Sequence, residues 1–336
     1  MTEMNSDKNI AIDFRELVSP FNAKMKAVNE LIRERMASRH APRIPEVTAH
    51  LVESGGKRLR PILTLAAAGL YDYEGDYDVY LAATVEFLHT ATLLHDDVVD
   101  ESEMRRGRAT ANLLWDNKSS VLVGDYLFSR SFKLMVETGS LRVLDILADA
   151  SGTIAEGEVL QLTSARDLST GEEHYLQIVR GKTATLFSAA AEVGGVVAEA
   201  SEDDIAALRE YGDALGIAFQ IADDLLDYKG DIGDTGKKVG NDFRERKLTL
   251  PLIKSIAASN RTEHSFWQRC ICKGEQREGD LEHALAILEK RNALVETRDD
   301  ALRWAERAKD SLRGLPKHRI RDVLGGLADF AVMRVS

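Results

Sequence analysis

The sequence has few prolines and no long hydrophobic run. Only 6 of its 336 residues are proline, and because proline removes a backbone donor and clashes with the preceding turn, this scarcity permits many uninterrupted helices. No run of 18 apolar residues occurs, so no membrane-spanning helix is expected. The segment from Met1 to Asp13 is polar and lacks the apolar core of a signal peptide. These absences favour a helical protein of the cytoplasm.

The chain also lacks basic runs and a disulfide framework. Its net charge is −11 and its pI about 5.3, so no nucleic-acid partner is expected. The two cysteines, Cys270 and Cys272, are spaced for neither a usual disulfide nor a four-ligand zinc site. We interpret them as ordinary thiols in a reducing compartment. An acidic protein that binds an anionic ligand must supply cations locally, as metal ions or clustered Lys and Arg.

Apolar residues recur at helical spacing through most of the chain, and no stretch alternates convincingly with period two. The pattern predicts one all-α domain over residues 13–336 behind a flexible tail at 1–12. Loops are expected around Pro42–Pro45, Gly75–Asp78, Gly107–Thr110 and the glycine-rich Gly230–Gly240. Helices are predicted over residues 14–38, from 53 to 71, and over 79–103, 119–138, 140–164, 172–198, 202–228 and 248–258, with shorter ones over 262–336.

Two acidic motifs of identical spacing lie in apolar helical surroundings. They are Asp96-Asp97-Val98-Val99-Asp100 and Asp223-Asp224-Leu225-Leu226-Asp227, 127 residues apart. Carboxylates four apart on a helix share one face at about 6 Å and repel each other. An exposed acidic helix end could explain one motif, but two make that explanation weak. Mg²⁺ removes the repulsion, since it takes one or two carboxylates and completes its shell with water and phosphate. The pattern predicts two helices that hold a diphosphate through metal ions.

Cationic residues recur near these motifs. Arginine and lysine both suit phosphate oxygens, as a rigid fork and as a point charge. His89 lies seven residues before Asp96, two turns along the same helix face, and could donate to a phosphate. The cations are Lys57 and Arg60 after Gly55-Gly56, the run Arg105-Arg106-Gly107-Arg108, Lys182, Lys237 and Lys247.

With these residues the sequence resembles the trans-isoprenyl diphosphate synthases. It is most similar to the long-chain bacterial members, the octaprenyl, nonaprenyl and decaprenyl synthases that make quinone side chains. The resemblance runs from about Glu53 to Ile253 and more weakly to Arg334. The matching segments are Gly55 to Pro61, Leu94 to Gly107, Gly124 to Leu127, Gly157-Glu158, Lys182-Thr183, Phe219 to Asp227 and Gly236 to Pro251.

The resemblance implies a homodimeric prenyltransferase, a helical bundle around a central cavity, that uses two or three Mg²⁺ ions. Its substrates would be isopentenyl diphosphate and an allylic diphosphate such as farnesyl or geranyl diphosphate. Release of the apolar product suggests transient membrane contact. The implied ligands of isopentenyl diphosphate are Lys57, Arg60, His89 and Arg106. Those of the allylic diphosphate are Arg105, Lys182, Thr183, Gln220, Lys237 and Lys247. The implied metal ligands are chiefly Asp96, Asp100 and Asp223, with Asp97, Asp224 and Asp227 as further motif members.

One departure concerns Lys247, because the family often has glycine before this lysine and this chain has Arg246. Product length is implied by Ala91 and Thr92, since short-product members carry aromatic residues there. Leu88 and Phe87 come next along the same helix, and a C40–C50 product is expected. Two alternatives remain open. A terpene cyclase or head-to-head condensing enzyme would not need the isopentenyl cations, and a silent partner subunit typically loses one acidic motif.

Overall fold

A computed structural model describes residues 14–38, 40–53, 56–105, 107–229 and 239–335, and these are mostly helical. The all-α class predicted from the sequence is confirmed. No helix in these ranges is both long and apolar enough to cross a membrane. The α-helices are α1 (residues 14–18), α2 (Asn22–Met36), α3 (Arg43–Glu53), α4 (Leu59–Gly69), α5 (Tyr77–Val99), α6 (Ala111–Leu114), α7 (Asn117–Glu137), α8 (Leu141–Ser164), α9 (Glu172–Val179), α10 (Thr185–Val197), α11 (Glu202–Lys229), α12 (Asn241–Arg244), α13 (Leu250–Ala257), α14 (Arg261–Trp267), α15 (Asp280–Lys290), α16 (Ala293–Ser311) and α17 (Arg319–Met333).

The remaining elements are short. Residues Ser19–Phe21 form a 3₁₀ turn, and Arg180–Ala184 and Gln268–Cys272 form single π-helical turns. Two strands, β1 (Met104–Arg105) and β2 (Arg108–Ala109), pair antiparallel as a small hairpin. This hairpin was not predicted, because strands of two residues are too short to show alternation.

Several predicted boundaries were wrong. The helix predicted from residue 53 begins at Leu59. Pro45 lies in the first turn of α3 rather than in a loop, where its missing N–H costs nothing. Helix α5 ends at Val99 instead of residue 103. The predicted helix over 172–198 is divided by the π turn at Arg180–Ala184. The glycine-rich loop lies mostly outside the described residues.

The first compact unit comprises residues 1–151, 186–212 and 312–326. Its core helix is α5, which packs against α2, α4 and α7. Thirteen residues of α5 are buried, so this helix has apolar neighbours on several sides rather than one. Leu81, Leu88 and Leu94 are fully buried. This packing fixes the position of α5, and with it the acidic motif at its carboxyl end.

The second compact unit comprises residues 152–185, 213–311 and 327–336. Ile217, Ile221 and Leu225 lie along one face of α11 and pack with Ile253 of α13 and Ala301 of α16. The second acidic motif is part of the same helix, so its backbone is anchored by this core. The single domain over residues 13–336 stays a prediction.

Candidate active site

The first acidic motif occupies the carboxyl end of α5. Asp96 is partly exposed, and Asp100 is the exposed C-cap residue. The Asp100 N–H donates to the Asp96 carbonyl oxygen at 2.8 Å, which keeps the two residues one helical turn apart. The carboxyl end of a helix carries partial negative charge, so each carboxylate here costs about 0.3–1 kcal/mol unless a cation binds.

The middle aspartate of this motif, Asp97, is fully buried. Its Oδ1 accepts hydrogen bonds from Arg105 Nε at 2.9 Å and from Arg105 Nη2 at 2.7 Å. Its Oδ2 is buried and has no hydrogen-bond partner within the described part of the chain. Asp97 therefore holds the guanidinium of Arg105, a predicted ligand of the allylic diphosphate.

The second acidic motif lies at the carboxyl end of α11, two residues before the helix ends at Lys229. Asp223 is exposed, Asp224 is buried and Asp227 is partly buried. The Oδ2 of Asp227 accepts a hydrogen bond from the Asp242 N–H at 2.9 Å. Both motifs thus present exposed carboxylates around a buried middle aspartate, at the helix end where negative charge is least favourable.

Asp224 is held on both oxygens. Its Oδ2 accepts from the Tyr175 hydroxyl at 2.6 Å, and its Oδ1 accepts from Gln220 Nε2 at 2.8 Å. The hydroxyl of Thr183 donates to Gln220 Oε1 at 2.9 Å. Burial raises the pKa of Asp224 to about 7, although both hydrogen bonds act in the opposite direction. The network joins two predicted substrate ligands, Thr183 and Gln220, to the acidic motif.

Asp242 adds a further acid that the sequence reasoning missed. Burial raises the pKa of its carboxyl group, and the charges of Asp224 and Asp227 raise it further. Only its distance of 15 residues from Asp227 is visible in the sequence, and no pattern connects the two. The cost of this buried negative charge is largest while no cation is bound.

The π turn presents the predicted allylic ligands Lys182 and Thr183. Single π turns inside helices are frequent at functional sites. The ammonium of Lys182 contacts both Glu158 oxygens, at 2.7 and 2.9 Å. Gly157 of α8 approaches the turn so closely that a Cβ on residue 157 would lie 2.7 Å from the backbone nitrogen of Lys182. The backbone of the turn is therefore fixed by a contact that requires glycine.

The backbone conformation at Arg246 shows why the family often has glycine at this position. Arg246 has a φ of +60°, in the left-handed region where a residue with Cβ is strained by about 1–2 kcal/mol. Glycine has no such strain, which explains why glycine suits this position. The ammonium of Lys247 lies 2.8 Å from the Glu245 carboxylate. The backbone N–H of Lys247 donates to the Asp242 carbonyl oxygen at 2.9 Å.

The predicted isopentenyl ligands are partly brought together in the first unit. Arg60 Nη1 lies 3.4 Å from His89 Nε2, and the guanidinium stacks 4.3 Å above the Phe187 ring. Lys57 is exposed, three residues before Arg60. Arg106 and Lys237, also predicted ligands, lie outside the described residues.

The residues expected to control product length lie along α5. Ala91 and Leu88 are fully buried and Phe87 nearly so. Thr92 is partly buried, and its hydroxyl donates to the His89 carbonyl oxygen at 2.9 Å.

Sequence reasoning left His95 unassigned. Its ring lies against Gly124 of α7, where a Cβ would overlap it, and its Nε2 is 3.2 Å from the Val121 carbonyl oxygen. The glycine of the segment Gly124 to Leu127 is the signal that could have located this contact.

The residues present fit Mg²⁺ that arrives with a diphosphate. Within the described residues, no three His, Cys, Asp or Glu side chains converge into a preformed metal site. Mg²⁺ in enzymes often takes only one or two carboxylates and completes its octahedron with water and substrate phosphate. Asp96 and Asp100 of the first unit offer hard oxygen donors of the kind that such an ion requires, and so, in the second unit, does Asp223.

Comparison with known proteins shows the family of the chain. The family profile described as polyprenyl synthetase matches residues 41–288. The chain is 43% identical to octaprenyl diphosphate synthase of Escherichia coli over 92% of its own length and 95% of that protein. It is 62% identical to a decaprenyl diphosphate synthase from Rhodobacter capsulatus, with a TM-score of 0.93 over 96% of this chain and 99% of that one.

A polyprenyl synthase from Caulobacter crescentus, complexed with calcium and isoprenyl diphosphate, is 50% identical with a TM-score of 0.92, over 96% of this chain and 98% of that one. The all-α chain with two aspartate-rich motifs belongs to the polyprenyl synthetase family. The resemblance seen in the sequence is thereby confirmed.

Replacing Gly157 by alanine should loosen the π turn. The new Cβ would lie 2.7 Å from the backbone nitrogen of Lys182 and 2.9 Å from the Gly181 carbonyl carbon. Backbone atoms can relieve such a clash only by shifting the turn. We expect a loss of about 1–3 kcal/mol, measured as a lower thermal midpoint. Gly152→Ala is the matched control on α8, because nothing lies within 4 Å of a Cβ there. Equal midpoints for the two variants would contradict this account of the turn.

Proposed function

We propose that the protein is a Mg²⁺-dependent, long-chain all-trans polyprenyl diphosphate synthase of the cytoplasm. It would add isopentenyl diphosphate repeatedly to farnesyl or geranyl diphosphate and release a C40–C50 product for quinone side chains. Release of so apolar a product would involve transient contact with a membrane. The observation that carries the proposal is the pair of aspartate-rich motifs, each at the carboxyl end of its helix.

The exposed aspartates are the ones suited to metal ions. Asp96, Asp100 and Asp223 would be the chief ligands of two or three Mg²⁺ ions. Asp97, Asp224 and Asp227 would be further members of the metal-binding motifs. Each of their carboxylates accepts a hydrogen bond from the protein. Bound Mg²⁺ would act as a Lewis acid that neutralises negative charge on the leaving diphosphate.

The side chains of the chain itself would bind and orient the substrates. Arg105 and Lys182, each paired with a carboxylate, would bind the allylic diphosphate together with Lys237 and Lys247. Lys57, Arg60, His89 and Arg106 would bind isopentenyl diphosphate. Thr183 and Gln220 would turn their dipoles toward the allylic cation. The final proton would pass to the departing diphosphate, so no side-chain nucleophile is needed.

The direct test is product formation from labelled isopentenyl diphosphate, farnesyl diphosphate and Mg²⁺, followed by dephosphorylation and sizing. We expect a ladder that ends between C40 and C50 and disappears with EDTA. Asp223→Asn should lower the rate at least about 100-fold, in the range for loss of a group that stabilises developing charge. Asp203→Asn, an exposed position on the same helix, should leave the rate unchanged.

The same assay separates the alternatives. A cyclic hydrocarbon formed without isopentenyl diphosphate would indicate a terpene cyclase, and a folded protein without turnover on any allylic primer would indicate a silent subunit. Both acidic motifs are intact, and Arg60 and His89 lie together, which favours the synthase.

Product length would be set along α5. A prenyl chain that starts at the metal-bound diphosphate would pass Ala91, about 7.5 Å along the helix axis from Asp96 at 1.5 Å per residue. Alanine is a small side chain at this point, and Leu88 and Phe87 would border the path further down. The buried position of Ala91 means that a larger side chain must fill nearby space.

Ala91→Tyr should therefore shorten the product markedly, because the ring would block the growing chain. Products would be sized by chromatography, with Ala91→Ser as the small control that keeps the original length. Overpacking can cost about 1–3 kcal/mol, so thermal midpoints would be compared. A folded Ala91→Tyr variant with an unchanged product distribution would rule out this path.

We further propose a homodimer built on α7. The exposed apolar residues Val121, Leu122, Phe132 and Val136 lie on this helix. At about 100° per residue they fall within one arc of roughly 100°. Leu122 is 67% exposed and Val136 is 64% exposed. Exposed Asp125 and Ser129 lie within the same arc, between the two apolar pairs. Exposed apolar residues gathered on one side of a helix suit burial against a second copy of the chain.

Leu122→Glu should break this dimer, because each subunit would bury a charge in the contact. Light scattering after size exclusion should give about twice 37.2 kDa for the wild type and 37.2 kDa for the variant. Val295→Glu, at another exposed apolar position, should remain dimeric. A wild-type mass of one chain, or a dimeric Leu122→Glu variant, would refute the proposed contact.

A further inference from the structure

Tyr175 is buried in the second compact unit and is not one of the residues that the sequence assigns to the site. It is only 4% exposed, and its ring packs in the apolar core with Val179 and Ile221. Its hydroxyl nevertheless contacts Asp224 at 2.6 Å. Tyr175 precedes Lys182 by seven residues, close to two helical turns, so the tyrosine and the π turn share one helical segment.

The hydrogen bonds from Tyr175 to Thr183 have a fixed direction. The Tyr175 hydroxyl donates to Asp224 Oδ2 at 2.6 Å, and Gln220 Nε2 donates to Asp224 Oδ1 at 2.8 Å. An amide nitrogen can only donate, so the contact with Oδ1 fixes which end of the Gln220 amide faces Asp224. The amide oxygen of Gln220 is therefore turned away from Asp224, where it accepts from the Thr183 hydroxyl at 2.9 Å. Because that hydroxyl has given its single proton to Gln220, a group that approaches the Thr183 hydroxyl or Gln220 Oε1 meets oxygen lone pairs. The second N–H of Gln220 lies on the nitrogen side of the amide.

This polarity matters for ionisation of the allylic diphosphate. The carbon–oxygen bond breaks, the electron pair leaves with the diphosphate oxygen, and positive charge remains on the allylic carbon. Oxygen lone pairs stabilise that charge, whereas the NH₂ group of a reversed amide would oppose it. The orientation of one amide therefore decides the sign of a dipole close to the reaction.

We infer that Tyr175 is a positioning residue for ionisation: it fixes Asp224, and through Asp224 it holds the Gln220 amide with its oxygen toward Thr183 and the developing cation. The inference rests on the proposed function and adds to it a residue that touches no substrate. Without the phenol, Asp224 loses one of its buried donors and is held by Gln220 and by a backbone hydrogen bond from Leu250. The carboxylate is then less firmly oriented, and so is the amide that it holds.

The test is Tyr175→Phe in the full-length protein, since phenylalanine keeps the ring in the core and removes only the hydroxyl. Product release can limit turnover of lengthening enzymes, so the single-turnover rate of the first addition to farnesyl diphosphate would be measured at saturating Mg²⁺. We expect the rate to fall about 10- to 100-fold, the usual effect of losing an outer partner of a reactive group. KM values for both substrates should stay within about threefold.

Tyr211→Phe is the matched control for a purely structural loss. Tyr211 is fully buried, and its hydroxyl donates to the Leu324 carbonyl oxygen at 2.7 Å. Both variants should lower the thermal midpoint, but only Tyr175→Phe should slow the first addition. A second comparison places Tyr175→Phe in a Gln220→Met background, where no amide remains to orient. There the added substitution should slow the reaction no further.

Three results would overturn the inference: an unchanged rate in Tyr175→Phe, equal rate losses in the two tyrosine variants, or additive losses in the Gln220→Met background. A wild-type protein that incorporates no isopentenyl diphosphate would instead refute the proposed function itself. The two failures are thereby distinguishable.

Discussion

The central constraint is negative charge at the carboxyl ends of two buried helices. Aspartates at these ends oppose the helix dipole and repel one another, at a cost of tenths of a kcal/mol to about 1 kcal/mol for each. The buried carboxyl groups of Asp224, in the second motif, and of Asp242, beside it, add to the cost, and burial raises the pKa of both. Divalent cations with a diphosphate would relieve this energy, so the arrangement suits an enzyme that binds both together.

The two motifs use their middle aspartates in the same way. Asp97 holds Arg105 and Asp224 holds Gln220, so each buried carboxylate orients a side chain proposed to face the allylic substrate. Asp96, Asp100 and Asp223 are the residues proposed as chief metal ligands. In each motif the middle aspartate would orient a neighbouring polar side chain, and the aspartate before it would bind metal.

Much of the fold followed from the sequence, because few prolines and persistent helical spacing leave little alternative to an all-α chain. The motifs were equally visible, since their spacing is local. The hairpin of Met104–Arg105 with Arg108–Ala109 was missed because it is too short to carry a pattern. Tyr175 and Asp242 were missed for another reason: their contacts with Asp224 and Asp227 depend on how distant segments pack, and the sequence carries no period that reports it.

The most direct measurement of the central claim is thermal unfolding with and without Mg²⁺ and inorganic pyrophosphate. Ligands that bind only the native state raise the midpoint according to their concentration and affinity. The account predicts a clear rise when both are present, little rise with either alone, and a rise reduced by at least about half in Asp96→Asn and in Asp223→Asn. The same rise in the wild type and in both variants would contradict the claim that these carboxylates bind the metal ions.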